Sequence, residues 1–76
     1  MDKPDFETVG GRLYYARMIR GFSQQALAKK AILNGATISL LEANKHSGRA
    51  TTYEKLSNML NVSPAWLLFG VGEVPK

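Results

Sequence analysis

The sequence predicts an all-α fold, a compact bundle of five short helices, and three observations lead there. Apolar residues recur at helical rather than alternating spacing from end to end, with no strand ladder, repeat or low-complexity segment. Residues that start helices (Ser23, Asn34, Thr51, Ser63) are interleaved with residues that stop them (Gly21, Asn61, Gly70). A length of 76 residues holds one domain, near the lower limit for folding without staples, and an apolar share of 45% suffices for a packed core.

Phe6, Val9, Leu13 and Ala16 fall on one face of a first helix. Arg20-Gly21-Phe22 ends it, with Gly21 suited to the left-handed position and Phe22 to folding back. Gly10 and Gly11 weaken this helix by about 1 kcal/mol each relative to alanine, so tertiary packing must hold its first half. Ser23 caps a second helix, without the glutamate of a capping box because Ala26 stands there. Leu27, Ala28 and Ala31 form its inner side, Lys29 and Lys30 its outer. Asn34 caps a third helix, in which Ile38 and Leu41 face inward, and Asn44 to Arg49 read as a polar loop. Thr51-Thr52-Tyr53-Glu54 has the form of a capping box opening a fourth helix, with Tyr53, Leu56, Met59 and Leu60 inward and Asn61 as a left-handed stop. Ser63 caps a fifth helix with Pro64 at its first position, Val62 and Leu67 as a hydrophobic staple, and Gly70 as its end. Residues 71–76 read as a tail or the start of a linker, and residues 1–7 as an arm or the start of the first helix.

Composition removes several function classes. There is no cysteine and a single histidine, His46, which leaves little for a disulfide framework, a protein-built metal site or a catalytic triad. No paired-carboxylate spacing suggests acid–base chemistry, so neither an enzyme, a cofactor nor a small-molecule substrate is expected. No apolar run approaches the ~20 residues of a membrane span, and the start Met1-Asp2-Lys3-Pro4-Asp5 does not resemble a signal peptide. A cytoplasmic protein is expected. Net charge is +4, but four of the six acids (Asp2, Asp5, Glu7, Glu73) lie near the ends. Between positions 12 and 55, eight basic residues (Arg12, Arg17, Arg20, Lys29, Lys30, Lys45, Arg49, Lys55) face only Glu42 and Glu54, a net +6. Such concentration suits a polyanionic partner; an ordinary solvated surface is the equal alternative from charge alone.

The stretch Ser23–Glu42 gives the charge a setting. Two short amphipathic helices joined by a tight turn, the second apolar on one side only, are the sequence form of a helix-turn-helix, whose second helix can lie in the major groove.

Arg17, Gly21, Ser23-Gln24, Leu27-Ala28, Ile38-Ser39, Leu41-Glu42, Leu56, Leu60 and the run Val62-Ser63-Pro64-Ala65-Trp66-Leu67-Leu68-Phe69-Gly70 together resemble the DNA-binding domain of the lambda-repressor-like family, the Cro/CI or XRE type of phage and bacterial regulators. The likeness runs from about Thr8 to Gly70; single pairs such as Leu27-Ala28 are weak markers, and the ordered set is a specific one. It implies a five-helix bundle spanning residues 8–70, and a homodimer on a palindromic operator in double-stranded DNA, with half-sites about 34 Å apart. It assigns Gln24 to a phosphate or to base edges, and the loop residues Asn44 and Lys45, with His46 and Arg49, to the DNA backbone. It implies that Arg17 and Glu42 pair to tie the third helix to the scaffold. Trp66, Leu67, Leu68 and Phe69 read as core, or as a dimer surface where exposed.

Two departures from that family stand out. Many relatives carry glycine in the turn where this chain has Ile32, a residue that resists positive φ. Either the second helix runs about one residue longer, or Asn34-Gly35 supplies the left-handed geometry. The outward positions of the third helix are Gly35, Ala36, Thr37, Ser39, Leu40 and Ala43, and none is the Arg, Lys, Asn or Gln that bidentate base readout needs. Ala36, Leu40 and the Thr37 methyl suit thymine methyl groups, the Thr37 and Ser39 hydroxyls suit single hydrogen bonds, and Gly35 suits close backbone approach. Leu40 has two other readings, half-burial by a rotated helix or a protein-binding surface. Phosphate contacts should then carry much of the affinity, with specificity shared with DNA shape and with Asn34, Gln24 and Asn44. The expected function is a phage- or prophage-type repressor; the rival is a protein-interaction module, antitoxin-like or regulator-binding, on the same fold.

Overall fold

Each helix end has an identifiable cause. The computed structural model describes residues 5–76 and gives five helices: α1 (Val9–Ile19), α2 (Gln24–Lys30), α3 (Gly35–Glu42), α4 (Ala50–Leu60) and α5 (Pro64–Phe69). No strand occurs among the described residues. Residues 1–4 of the expected arm lie outside them.

Side-chain oxygens of Thr8, Ser23, Asn34 and Ser63 accept backbone N–H bonds at the starts of α1, α2, α3 and α5. Phe6 is not on α1: the chain turns at residues 5–8, and Thr8 Oγ1 accepts the Gly11 N–H at 3.0 Å. The Phe6 ring still packs edge-on against Tyr15 and Trp66, with centroids at 5.0 and 6.3 Å.

The expected capping box at Thr51 does not form. α4 begins at Ala50, which places Thr51 inside the helix, and Arg49 is the N-cap with no side-chain bond. Tertiary contact overrides the local motif. Tyr53 is buried in the core, and its hydroxyl accepts the Gly48 N–H at 3.1 Å, anchoring the loop from inside the helix.

α1 to α4 all stop in the same way. A left-handed residue sends its N–H to the carbonyl three residues back, and the next N–H returns to the carbonyl five back. The left-handed residues are Gly21 (φ 77°), Ile32 (φ 56°), Asn44 (φ 58°) and Asn61 (φ 54°), and the paired bonds span 2.8–3.3 Å. Both sequence-based expectations for the turn are therefore corrected. α2 stops at Lys30 and Ile32 itself takes the left-handed turn, while Asn34 is extended (φ −63°, ψ 140°) and Gly35 is helical. Ala31 is fully buried and Asn34 must be extended to cap α3, so the reversal falls on the residue between them and Leu33.

The core consists of Leu13 and Ala16 of α1, Leu27, Ala28 and Ala31 around α2, Ile38 and Leu41 of α3, Tyr53, Leu56 and Leu60 of α4, and Val62, Trp66 and Leu67. α1 meets the end of α3 backbone to backbone. A Cβ on Gly10 would lie 2.5 Å from the Leu41 carbonyl oxygen and 2.6 Å from that of Glu42. Gly10, which weakens α1 as an isolated helix, thus lets α3 seat against it, and Gly11 makes room for the backbone of Asp5. The tail 71–76 folds back along α1, where Tyr15 Oη donates to the Pro75 carbonyl at 3.0 Å and Arg20 Nη1 to that of Lys76 at 3.0 Å.

Candidate nucleic-acid interface

α3 is two-sided. Ile38, Leu41 and Glu42 are buried, whereas Gly35, Ala36, Ser39, Leu40 and Ala43 are exposed and Thr37 is half-buried. Leu40 is 41% exposed, on the open side of the helix but partly shielded. Nothing lies within 4 Å of a Cβ built on Gly35, which leaves open space at the start of the helix.

A polar node fixes this orientation. Arg17 Nε and Nη2 donate to Glu42 Oε2 and Oε1 at 2.6 and 3.0 Å, a bidentate buried pair joining α1 to α3. Arg17 Nη1 also donates to the Phe22 carbonyl at 2.7 Å, and its guanidinium lies 5.4 Å from the Tyr14 ring centroid. Gln24, at the first position of α2, donates from Nε2 to Glu42 Oε1 at 3.1 Å. Three helices therefore converge on one carboxylate.

The other residues singled out in the sequence divide between surface and scaffold. Asn34 Oδ1 caps α3 through the Ala36 N–H at 2.9 Å. Asn44 turns toward α1: its Oδ1 accepts the Gly10 N–H at 2.9 Å and its Nδ2 donates to Thr8 Oγ1 at 3.1 Å. Both ends of that amide are occupied within the protein, which makes Asn44 a cap for α1 reaching from the end of α3. Lys45, His46 and Arg49 are exposed. Arg49 stands at the start of α4, whose first turn no side chain caps, so the positive end of that helix is open beside a guanidinium.

Three of the eight central basic residues have structural partners that sequence reasoning missed. Arg12, buried, donates from Nε and Nη2 to the Leu67 and Leu68 carbonyls near the end of α5 (2.8 and 2.9 Å) and from Nη1 to that of Phe6. Arg20 donates to the Leu60 and Asn61 carbonyls at the end of α4 (2.7 and 3.2 Å). Lys55 Nζ donates to the Ala31 carbonyl just past α2 at 3.2 Å. Each cation neutralises the negative end of a helix. Apart from Phe6, six residues before Arg12, these partners lie 24 to 56 residues away, and no local pattern marks them. With Arg17 paired as well, the basic side chains between positions 12 and 55 that are exposed and make no hydrogen bond within the protein are Lys29, Lys30, Lys45 and Arg49, while Lys55 is exposed but bonded to Ala31.

No helix among the described residues is long and apolar enough to cross a membrane, and they contain no cluster of three potential metal-ligating side chains.

Comparison with known proteins places this architecture. A family model described as helix-turn-helix matches residues 13–67. Among solved structures, a hypothetical transcription factor, NHTF, from Neisseria superposes with a TM-score of 0.79 at 23% identity, covering 91% of this chain and 84% of that one. The restriction-modification controller protein C.AhdI from Aeromonas hydrophila superposes with a TM-score of 0.75 at 26% identity, covering 84% of this chain and 93% of that one.

Proposed function

The chain belongs to the helix-turn-helix family, and on that premise we propose that it is a transcriptional regulator that binds double-stranded DNA sequence-specifically, as a homodimer on a palindromic operator in the manner of a phage or prophage repressor. The observation that carries the reading is the two-sidedness of α3. One side is anchored through Ile38, Leu41 and Glu42, and the other presents Gly35, Ala36, Ser39 and Leu40 to solvent with room for a backbone to approach. The likeness to a controller protein supports the regulatory class.

In this reading, Gly35 and Ala36 allow close approach, Thr37 and Ser39 offer hydroxyls, and Leu40 contacts thymine methyl groups. Lys45 and Arg49, with the uncapped start of α4, hold phosphates. Asn34 orders the entry of α3 through its cap, and Asn44 acts through the seating of α3 on α1. Phe69, 74% exposed, and the exposed Val71 supply an apolar surface for the dimer contact. The place of action is the bacterial cytoplasm or nucleoid.

Selection from a random duplex library at low salt tests the reading. A preferred sequence with two half-sites about one helical turn apart is expected; failure to enrich any duplex would overturn it. The exposure of Leu40 and of Ile32 favours one second reading, a protein-interaction module. Under that reading Leu40→Asp abolishes binding to a protein partner and leaves nonspecific DNA affinity nearly unchanged.

A further inference from the structure

The tail closes a groove that none of the roles described above uses. It lies where the end of α1, the α4–α5 turn and residues 73–76 meet, and it has a volume of about 370 Å³. None of its lining residues belongs to α2 or α3. We propose that this groove is a binding site for a free aliphatic α-amino acid. The site goes beyond the DNA-binding reading and does not depend on it.

Charge carries the argument. Arg20, Lys76 and Glu73 line the same groove, yet the sole side-chain salt bridge among the described residues is Arg17–Glu42. An anion and two cations therefore share one concave surface without pairing. The space between them suits a molecule that carries both charges, its ammonium toward Glu73 and its carboxylate toward the cations. Arg20 is held in place for this task. Its Nε, Nη1 and Nη2 donate to the Leu60, Lys76 and Asn61 carbonyls at 2.7, 3.0 and 3.2 Å. A guanidinium has five N–H donors, so the two left over are on the Nη atoms, whose existing bonds are the solvent-exposed ones. A cation already fixed by its scaffold loses little freedom on taking a carboxylate. Ser63 Oγ accepts the Trp66 N–H at 3.3 Å, and its own hydrogen is left to donate to the same carboxylate.

Size and polarity define the rest of the ligand. The volume falls at the low end of the ~300–1,000 Å³ of small-molecule pockets, which suits a molecule of amino-acid size. Val62, Val74 and Pro75 complete the lining, so the part of the ligand between and beyond its charges meets aliphatic surface. The tail is tied to the body by side-chain bonds from Tyr15 to the Pro75 carbonyl and from Arg20 to that of Lys76. A ligand held from Glu73 on one side and from Arg20 and Ser63 on the other adds a further tie, so its binding also stabilises the docked tail.

The test is a titration of the intact protein, followed by amide chemical shifts and by the unfolding midpoint. The probes are L-valine, L-leucine and L-isoleucine, each beside the acid that lacks its ammonium and the amine that lacks its carboxylate (for valine, isovalerate and isobutylamine). At least one amino acid should give saturable shifts at Val62, Glu73 and Val74. At ten times its Kd it should raise the midpoint by roughly 5–10 °C, and it should bind about tenfold more tightly than either of its single-charge analogues. Glu73→Gln, a change on an exposed tail residue, should weaken the amino acid about tenfold and leave the acid analogue nearly unaffected. The proposal is overturned if none of the three amino acids gives saturable shifts in the wild-type protein. It is equally overturned if an amino acid and its acid analogue bind alike, the mark of a simple anion site, or if Glu73→Gln leaves amino-acid affinity unchanged. Neither readout involves DNA, so its outcome is separate from that of the duplex selection.

Discussion

Ile32 holds a φ of 56° at the point where the chain reverses between α2 and α3, and its side chain is 87% exposed. An L-residue in the left-handed region costs about 1–2 kcal/mol, and the β-branch adds to the crowding. Almost no burial offsets that cost. Ile32→Gly should therefore raise stability by about 1 kcal/mol and the midpoint of thermal unfolding by roughly 4–8 °C; an unchanged or lower midpoint would show that the turn is not strained. Gly10 presents the reverse case. Alanine there would gain about 1 kcal/mol of helix propensity. Its methyl would, however, meet two backbone carbonyls of α3, which cannot rotate away as a side chain can. Overpacking of this kind costs typically 1–3 kcal/mol, so Gly10→Ala should destabilise in denaturant titration despite the better helix former. The Arg17–Glu42 pair is a third such site. Removing one partner of a well-buried pair costs about 3–5 kcal/mol, so Arg17→Ala should appear in the unfolding midpoint before it appears in any binding assay.

Elements were legible in the sequence wherever their signals were local. Ser23, Asn34 and Ser63 cap the helices they precede, and Gly21, Asn61 and Gly70 take the left-handed positions their residue types suit. The reading failed where a distant contact outweighed a local preference. The threonine and glutamate at 51 and 54 form a capping box only if the helix starts there, but burial of Tyr53 and its bond to Gly48 start it at Ala50. Likewise Ile32 turns because Ala31 and Asn34 leave it no alternative, although its own preference is against it. Asn44 shows the same limit at the candidate interface. Its polarity and loop position point outward, and only the fold reveals that it caps α1 from the far end of α3. Asn44→Ala should lower stability by about 1–2 kcal/mol, because it strips a buried N–H of its acceptor and a left-handed residue of its tolerant side chain. A calorimetric midpoint equal to that of the wild type would remove Asn44 from the scaffold and return it to the surface.

At the scale of the whole molecule, charge has two tasks that composition merges into one figure. The net +6 between positions 12 and 55 includes Arg12, Arg20 and Lys55, which bind carbonyls at or just beyond helix ends, and Arg17, which binds Glu42. Arg12, Arg20 and Lys55 still contribute to the long-range positive potential that steers a polyanion toward the protein, whereas Glu42 offsets Arg17. Arg12 and Arg17 are buried and Arg20 and Lys55 have donors committed to carbonyls, so the four are less free to neutralise phosphates individually. Lys29, Lys30, Lys45 and Arg49 remain, so a protomer on DNA should release few counterions. With about 0.9 per phosphate neutralised, the slope of log affinity against log salt should not exceed roughly 4 per protomer. The division of labour is testable one residue at a time. Lys45→Ala should flatten the slope by about 1, weaken all duplexes alike and leave the unfolding midpoint unchanged. Arg20→Met removes the same unit of charge but should do the opposite: its carbonyl partners on α4 lose their donor, the midpoint falls, and the slope measured well below that midpoint stays as it was. Equal flattening by both substitutions would mean that net charge alone governs binding and that the arginines at helix ends are as available to DNA as the lysine in the loop.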